Sequence, residues 1–340
     1  MQKFFYSIFI LLLSSCSSQS LPELHLFMWA DYIKPELIWR FEQEQKCRVV
    51  IDTYDSNEAM YAKLKLGVTG YDIVFPSYYI FNLMLAQNMV EELDYQAIPN
   101  TTFLDPTYMD RLSNQAKAYG IPYMVSFAGI GYRSDKLTQA ITSWSVFGNP
   151  AYKGRMTMLN DIRETLGACL RYLGFSVNTH NVQEINQAAD LLIKWKPNLA
   201  KFENEQYKNG IATAEFLIVQ GYNGDLAQVA EENSYIHFAY PTEGTSFSID
   251  LAAIPKHSPN PGLAKKFINF LLQPDVAAEN ISFTKFLSPN KEAYRLLSDE
   301  QRANLALFPP PEVIKKAELL EPIDQIISEY IKAWDRAKAE

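Results

Sequence analysis

The sequence predicts an α/β protein of two lobes, and three observations carry that expectation. Short apolar, strand-like runs alternate with amphipathic helical segments along most of the chain. About 325 of the 340 residues remain once an N-terminal leader is set aside, too many for one compact core and enough for two domains of ordinary size. A hydrophobic content of 48% excludes a disordered chain.

The first element is a leader. Lys3 precedes an apolar run from Phe4 to Leu13, and Leu13-Ser14-Ser15-Cys16 closes it with small residues, the order of a signal peptide over 1–15. The run is shorter than the roughly 20 apolar residues of a membrane span. Its last four letters resemble a lipobox, in which Cys16 becomes the acylated N-terminus and 16–22 a polar linker, so the membrane is met only through that anchor. His25 to Trp29, Arg48 to Tyr54 and Asp72 to Pro76 read as buried strands. Pro35 to Glu44 reads as a helix with proline in its first turn, and Asn57 to Lys65 as one capped by Ser56 or Asn57. Gly129 to Tyr132 is strand-like after Ile121-Pro122-Tyr123. Helices are expected near Arg163 to Leu173, Val182 to Lys194 and Gly224 to Glu232. A strand at Ser248 to Ile254 then leads into a helix from Leu263 to Leu272.

Charge and motif content narrow the function. The chain carries 31 basic against 39 acidic residues, and loss of 1–15 removes only Lys3 from that balance, which disfavours nucleic acid as a partner and suits cationic ligands. The four histidines, at 25, 180, 237 and 257, show no metal-ligand spacing. There is no G-x-S-x-G elbow, and Gly129-Ile130-Gly131 lacks the third glycine of a dinucleotide loop, so neither a cofactor nor an enzyme is expected. Cys47 and Cys169 are expected in different lobes, free and buried.

The expected strand ends gather aromatic and acidic side chains: Trp29, Asp31 and Tyr32 after the first, Ser77 and Tyr79 after the third. Asp161 and Glu164, three apart at a helix start, can face one side, although Asp161 also suits a helix cap. Asp250 lies in an apolar strand, where it is costly to bury without a cation, from a ligand or from a nearby Lys or Arg. A ligand with ammonium groups on a methylene chain needs this mixture, carboxylates to replace water around the charges and aromatic faces to cover the CH2 groups.

The runs HLFMWADYIKPELI (His25 to Ile38), DTYDSNEAMYAKL (Asp52 to Leu64) and YDIVFPSYY (Tyr71 to Tyr79) resemble the polyamine-binding proteins of bacterial ABC importers, the spermidine/putrescine receptor family. TSWSVFGNPAYKGRMTM (Thr142 to Met158), NDIRETLGACLRYLGF (Asn160 to Phe175), and DLAAIP with FINFLLQPDVA (Asp250 to Ala277) extend the resemblance over nearly all of the chain after the leader. It implies a type II periplasmic-binding-protein fold, each lobe a sheet flanked by helices, with lobes of 23–130 plus 253–300 and of 131–252 plus 301–340, closing on a ligand in the cleft. It also implies a monomeric receptor outside the cytoplasm, delivering spermidine or putrescine to a permease driven by a separate ATPase. The positions matching the family's site are Trp29, Asp31, Tyr32, Ser77, Tyr79, Asp161, Glu164, Tyr222, Asp250 and Phe286. Three aromatic positions depart from the pattern: Ser248 and Tyr222 stand where tryptophan is common, and Phe286 where tyrosine is. The alternatives are a receptor of the same fold for a metal chelate or cationic amino acid, and a glycoside hydrolase using two of Asp31, Asp161, Glu164 and Asp250.

Overall fold

The structure, a computed structural model, describes residues 21–340; the leader 1–15 and Cys16 lie outside the described residues. Ten strands form one sheet: β1 (Glu23–Trp29), β2 (Arg48–Tyr54), β3 (Ile73–Val74), β4 (Gly120–Arg133), β5 (Met156–Met158), β6 (Leu199–Phe202), β7 (Ile218–Tyr222), β8 (Ile236–Ala239), β9 (Ser246–Ala253) and β10 (Glu318–Leu319). Their order is β2-β1-β3-β9-β4-β7-β5-β6, with β8 on β4 and β10 on β9.

Long β4 belongs to both halves. Gly120 to Phe127 pair antiparallel with β9, whereas Ala128 to Tyr132 pair with β7 and Ile130 to Arg133 with β8. The register shifts between Pro122 and Met124, an irregularity that accommodates a residue with no N–H to donate. β10 runs parallel to the start of β9, so Phe127, Phe247 and Leu319 bring three passages of chain together, with the rings of Phe127 and Phe247 stacked at 5.3 Å.

Each half has its own core. In the first, the helix Pro35–Gln45 starts on proline, buries Leu37 and Phe41, and ends on Lys46 in the left-handed conformation. Phe41 meets Phe267 and Phe270 of the helix Pro261–Leu271 at 4.8 and 5.3 Å. The helix Asn57–Lys65 is capped by Ser56, whose Oγ accepts from Ala59 N at 3.2 Å. In the second half, the helices Ile162–Tyr172, Val182–Trp195 and Ile327–Ala339 pack together, burying Leu166, Leu192, Tyr330 and Trp334. The C-terminal helix therefore rides on the second half while β1 opens the first.

Most expected elements are found within two residues of their expected ends. The strand expected at 72–76 shrinks to Ile73–Val74, because the residues after Pro76 turn at once into a helix, Tyr78–Ala86. The strand expected at 129–132 is the last part of β4. Cys47 and Cys169 are free and buried, one in each core.

Candidate functional site

The two halves enclose a cavity at the carboxyl ends of parallel strands, where open α/β sheets place their ligands. Trp29 ends β1, Ser77 follows β3, Asp161 follows β5 and Tyr222 ends β7. Helices begin at three of these points, with Ser77, Asp161 and Tyr222 as their N-caps. The cavity opens to solvent at its mouth. Nine of the ten expected residues line it: Trp29, Tyr32, Ser77, Tyr79, Asp161, Glu164, Tyr222, Asp250 and Phe286.

Asp250, in the middle of β9, is 5% exposed. Tyr32 OH donates to one carboxylate oxygen at 2.5 Å and Ser77 Oγ to the other at 2.6 Å, and no described side chain forms an ion pair with it. Burial raises its pKa to about 6, against the lowering effect of the two hydroxyls. Its donors are themselves held. Asn57 donates from Nδ2 to Ser77 Oγ at 3.1 Å and accepts from Ser77 N at 3.0 Å. Tyr123 OH donates to Tyr32 O at 2.7 Å and accepts from Asn280 at 2.9 Å. Phe286 meets Tyr32 edge-on at 5.7 Å, and its ring lies so close to Gly224 that an added Cβ there would come within 2.6 Å of it.

A second acidic group lies across the cavity. Asp161 Oδ1 caps its helix, accepting from Arg163 N at 2.8 Å and Glu164 N at 2.9 Å, so the cap reading holds and the side chain still lines the cavity. Glu164 is 2% exposed and accepts from Ser246 Oγ. Burial, with the charge of Asp161 beside it, raises Glu164 to about 8, and burial raises Asp161 too. Arg163 is turned away, its guanidinium donating to Glu321 O at 2.9 Å and Asn178 Oδ1 at 2.7 Å and lying 5.4 Å from the Tyr79 ring. Tyr79 OH donates to Glu58 at 3.1 Å, and Trp29 meets Tyr54 at 4.6 Å.

Asp31 is the exception. The chain turns after β1 with Asp31 at φ 54, and its exposed side chain stands outside the cavity lining, 3.4 Å from Lys208 Nζ. Sequence reasoning missed Asp55, Asn57, Asn204, Lys208 and Asp225 in the lining. Asp55 and Asn57 lie in the quoted run Asp52 to Leu64, where only the helix start was read, and Asn204, Lys208 and Asp225 sit in ordinary polar stretches with no motif. Among the described residues no group of three or more His, Cys, Asp and Glu is arranged to hold a metal ion.

Buried carboxylates set among aromatic rings, with two α/β bodies closing over them, define a receptor that encloses a solute. The chain belongs to the bacterial extracellular solute-binding proteins, whose family model matches residues 36–309. It is 34% identical over 318 residues, covering 93% of this chain and 91% of the other, to the spermidine/putrescine-binding periplasmic protein of Escherichia coli (strain K12). Among solved structures it resembles a putative spermidine/putrescine ABC transporter from Listeria monocytogenes (TM-score 0.87, 30% identity, 93% and 98% of the two chains covered). It also resembles the Tp0655 lipoprotein of Treponema pallidum (TM-score 0.84, 30% identity, 94% and 100% covered). The relatives are binding proteins, and the hydrolase alternative has no support among them.

Proposed function

We propose that this chain is the receptor of an ABC importer for polyamines, capturing a spermidine- or putrescine-like amine and handing it to a permease powered by a separate ATPase. The observation that carries this reading is Asp250, a buried carboxylate with two hydroxyl donors and no ion-pair partner among the described residues, facing the Asp161 and Glu164 group across an aromatic-lined cavity. An ammonium group supplies the missing charge, and Trp29, Tyr79 and Tyr222 cover the methylenes. Lobes of about 23–130 plus 253–300 and of 131–252 plus 301–340 close over the amine. The pairing of β4 up to Phe127 with β9 from Phe247 onward supports moving the second boundary from 252 to the start of β9, which leaves most of that strand with the first lobe. Calorimetric titration with putrescine, spermidine, spermine and cadaverine tests the reading; binding of none of them at millimolar concentration overturns it.

Cys16, acylated, tethers a monomeric receptor to the membrane outside the cytoplasm, a reading supported by Leu13-Ser14-Ser15-Cys16 and by the lipoprotein among the similar structures. Cys16→Ser should release the protein from membranes without altering polyamine affinity. A wild-type protein already free in detergent-free extracts would count against the anchor.

A further inference from the structure

The cavity's acidic groups are not alike in what neutralises them. Among the described residues Asp250 has only hydroxyl partners, and Asp161 and Glu164 have backbone N–H groups and Ser246. At a third place the chain supplies its own ammonium. Lys208, on the short helix Tyr207–Ala212, lines the cavity with Nζ 3.4 Å from Asp31 of the first half and 3.7 Å from Asp225 of the second. Asp225 also accepts from Tyr207 OH, which holds it toward the lysine. Burial disfavours the ammonium, but Asp225 and Asp31 more than offset that and hold its pKa above the ordinary value, so it stays charged.

We propose that Lys208 is a built-in stand-in for a ligand ammonium, filling the Asp31 and Asp225 subsite, so that the cleft is matched to a linear amine with two ammonium groups and discriminates against one with three. The proposal rests on the polyamine reading above. A diamine places one charge at Asp250 and the other at Asp161 and Glu164, and at the third place Lys208 already offsets one of the two charges of Asp31 and Asp225. The other lining carboxylates, Asp55 and Glu205, are exposed to water, and a third ammonium drawn toward Asp225 meets the like charge of Lys208, which costs affinity unless Lys208 swings out.

Titration of the full chain with putrescine and spermidine, for wild type and for Lys208→Gln and Lys208→Ala, tests this, with circular dichroism to confirm folding. Wild type should bind putrescine more tightly than spermidine. Either folded variant should shift the ratio of the two affinities at least tenfold toward spermidine. A wild type that prefers spermidine, or a ratio unmoved in both folded variants while putrescine still binds, overturns the proposal and leaves the polyamine reading standing. Failure of wild type to bind either amine overturns both. Should both variants fail to fold, Asp225→Asn offers a second route: loosening Lys208 there without freeing a carboxylate should weaken spermidine further relative to putrescine, and an unchanged ratio overturns the proposal.

Discussion

At the scale of single residues, the site turns on carboxylates kept from water. Asp250→Asn preserves size and an acceptor for one of the two hydroxyls but removes the charge, and should cost about 2–5 kcal/mol of polyamine affinity, at least roughly thirtyfold. Titration of a variant that melts like wild type checks it, and undiminished binding would remove Asp250 from the site. Protons compete with the ligand at the same groups. Asp250, at about 6, and Glu164, at about 8, stand above their unfolded values, so between about pH 4 and 8 the folded, empty protein holds protons that the unfolded chain has released. Ligand-free stability should therefore fall as pH rises through that window, and amine affinity should rise, by roughly tenfold or more from pH 5.5 to 8.5. Calorimetry at pH 7 in two buffers of different ionisation enthalpy should show proton release on binding; proton uptake would contradict the scheme. Asp250 was legible because an acid inside an apolar strand demands a partner. The place of Asp31 outside the lining was illegible, because its distance along the chain from Trp29 says nothing of the left-handed turn that carries it there. Lys208 was illegible, since one lysine in a polar stretch has no pattern until folding brings Asp31 and Asp225 beside it.

At the scale of elements, β9 shows what one strand can set. It carries Asp250 and Ser248 into the cavity on alternating positions, two residues apart on one face. Ser248 lines the cavity, as does Leu320, whose N–H donates to the neighbouring Phe247 O at 2.9 Å. Ser248→Trp should tighten binding by about 0.5–2 kcal/mol through a ring over the ligand cation. Weaker binding would mean that the indole takes the ligand's space. Elements with strong local signals were readable. Arg48–Tyr54 is β-branched and bounded, and Asn57–Lys65 has its serine cap and apolar spacing. Strands β5 to β8, three to five residues each, were not, because too few positions exist to display alternation. The helix Tyr78–Ala86 was hidden for the opposite reason: its first turn, buried on nearly every side, reads as a continuation of the apolar run before it.

At the scale of the whole molecule, the chain passes between its halves at β4, β9 and the approach to β10, and a clamp hinged there binds its solute chiefly when shut. Saturating putrescine, at 100 times its dissociation constant, should raise the unfolding free energy by about 2.7 kcal/mol and reduce the radius of gyration seen by small-angle scattering. Stabilisation without compaction would point to a cleft already closed when empty, a state that the Asp31–Lys208 pair across the halves could hold. The two-lobe architecture was visible in chain length and in the alternation of elements. The sharing of β4 between both halves was not, because a single strand that changes partners midway looks in sequence like any long apolar run.

The resting places of the two chain ends carry a practical meaning. β1 opens the first half and the helix Ile327–Ala339 closes the chain on the second, so the ends are attached to different jaws. With the proposed tether at Cys16, the linker to the membrane leaves from the first jaw. A fluorescent donor and acceptor fused at the two ends would translate solute concentration into a change in colour, with no label in the cleft and no residue of the site altered.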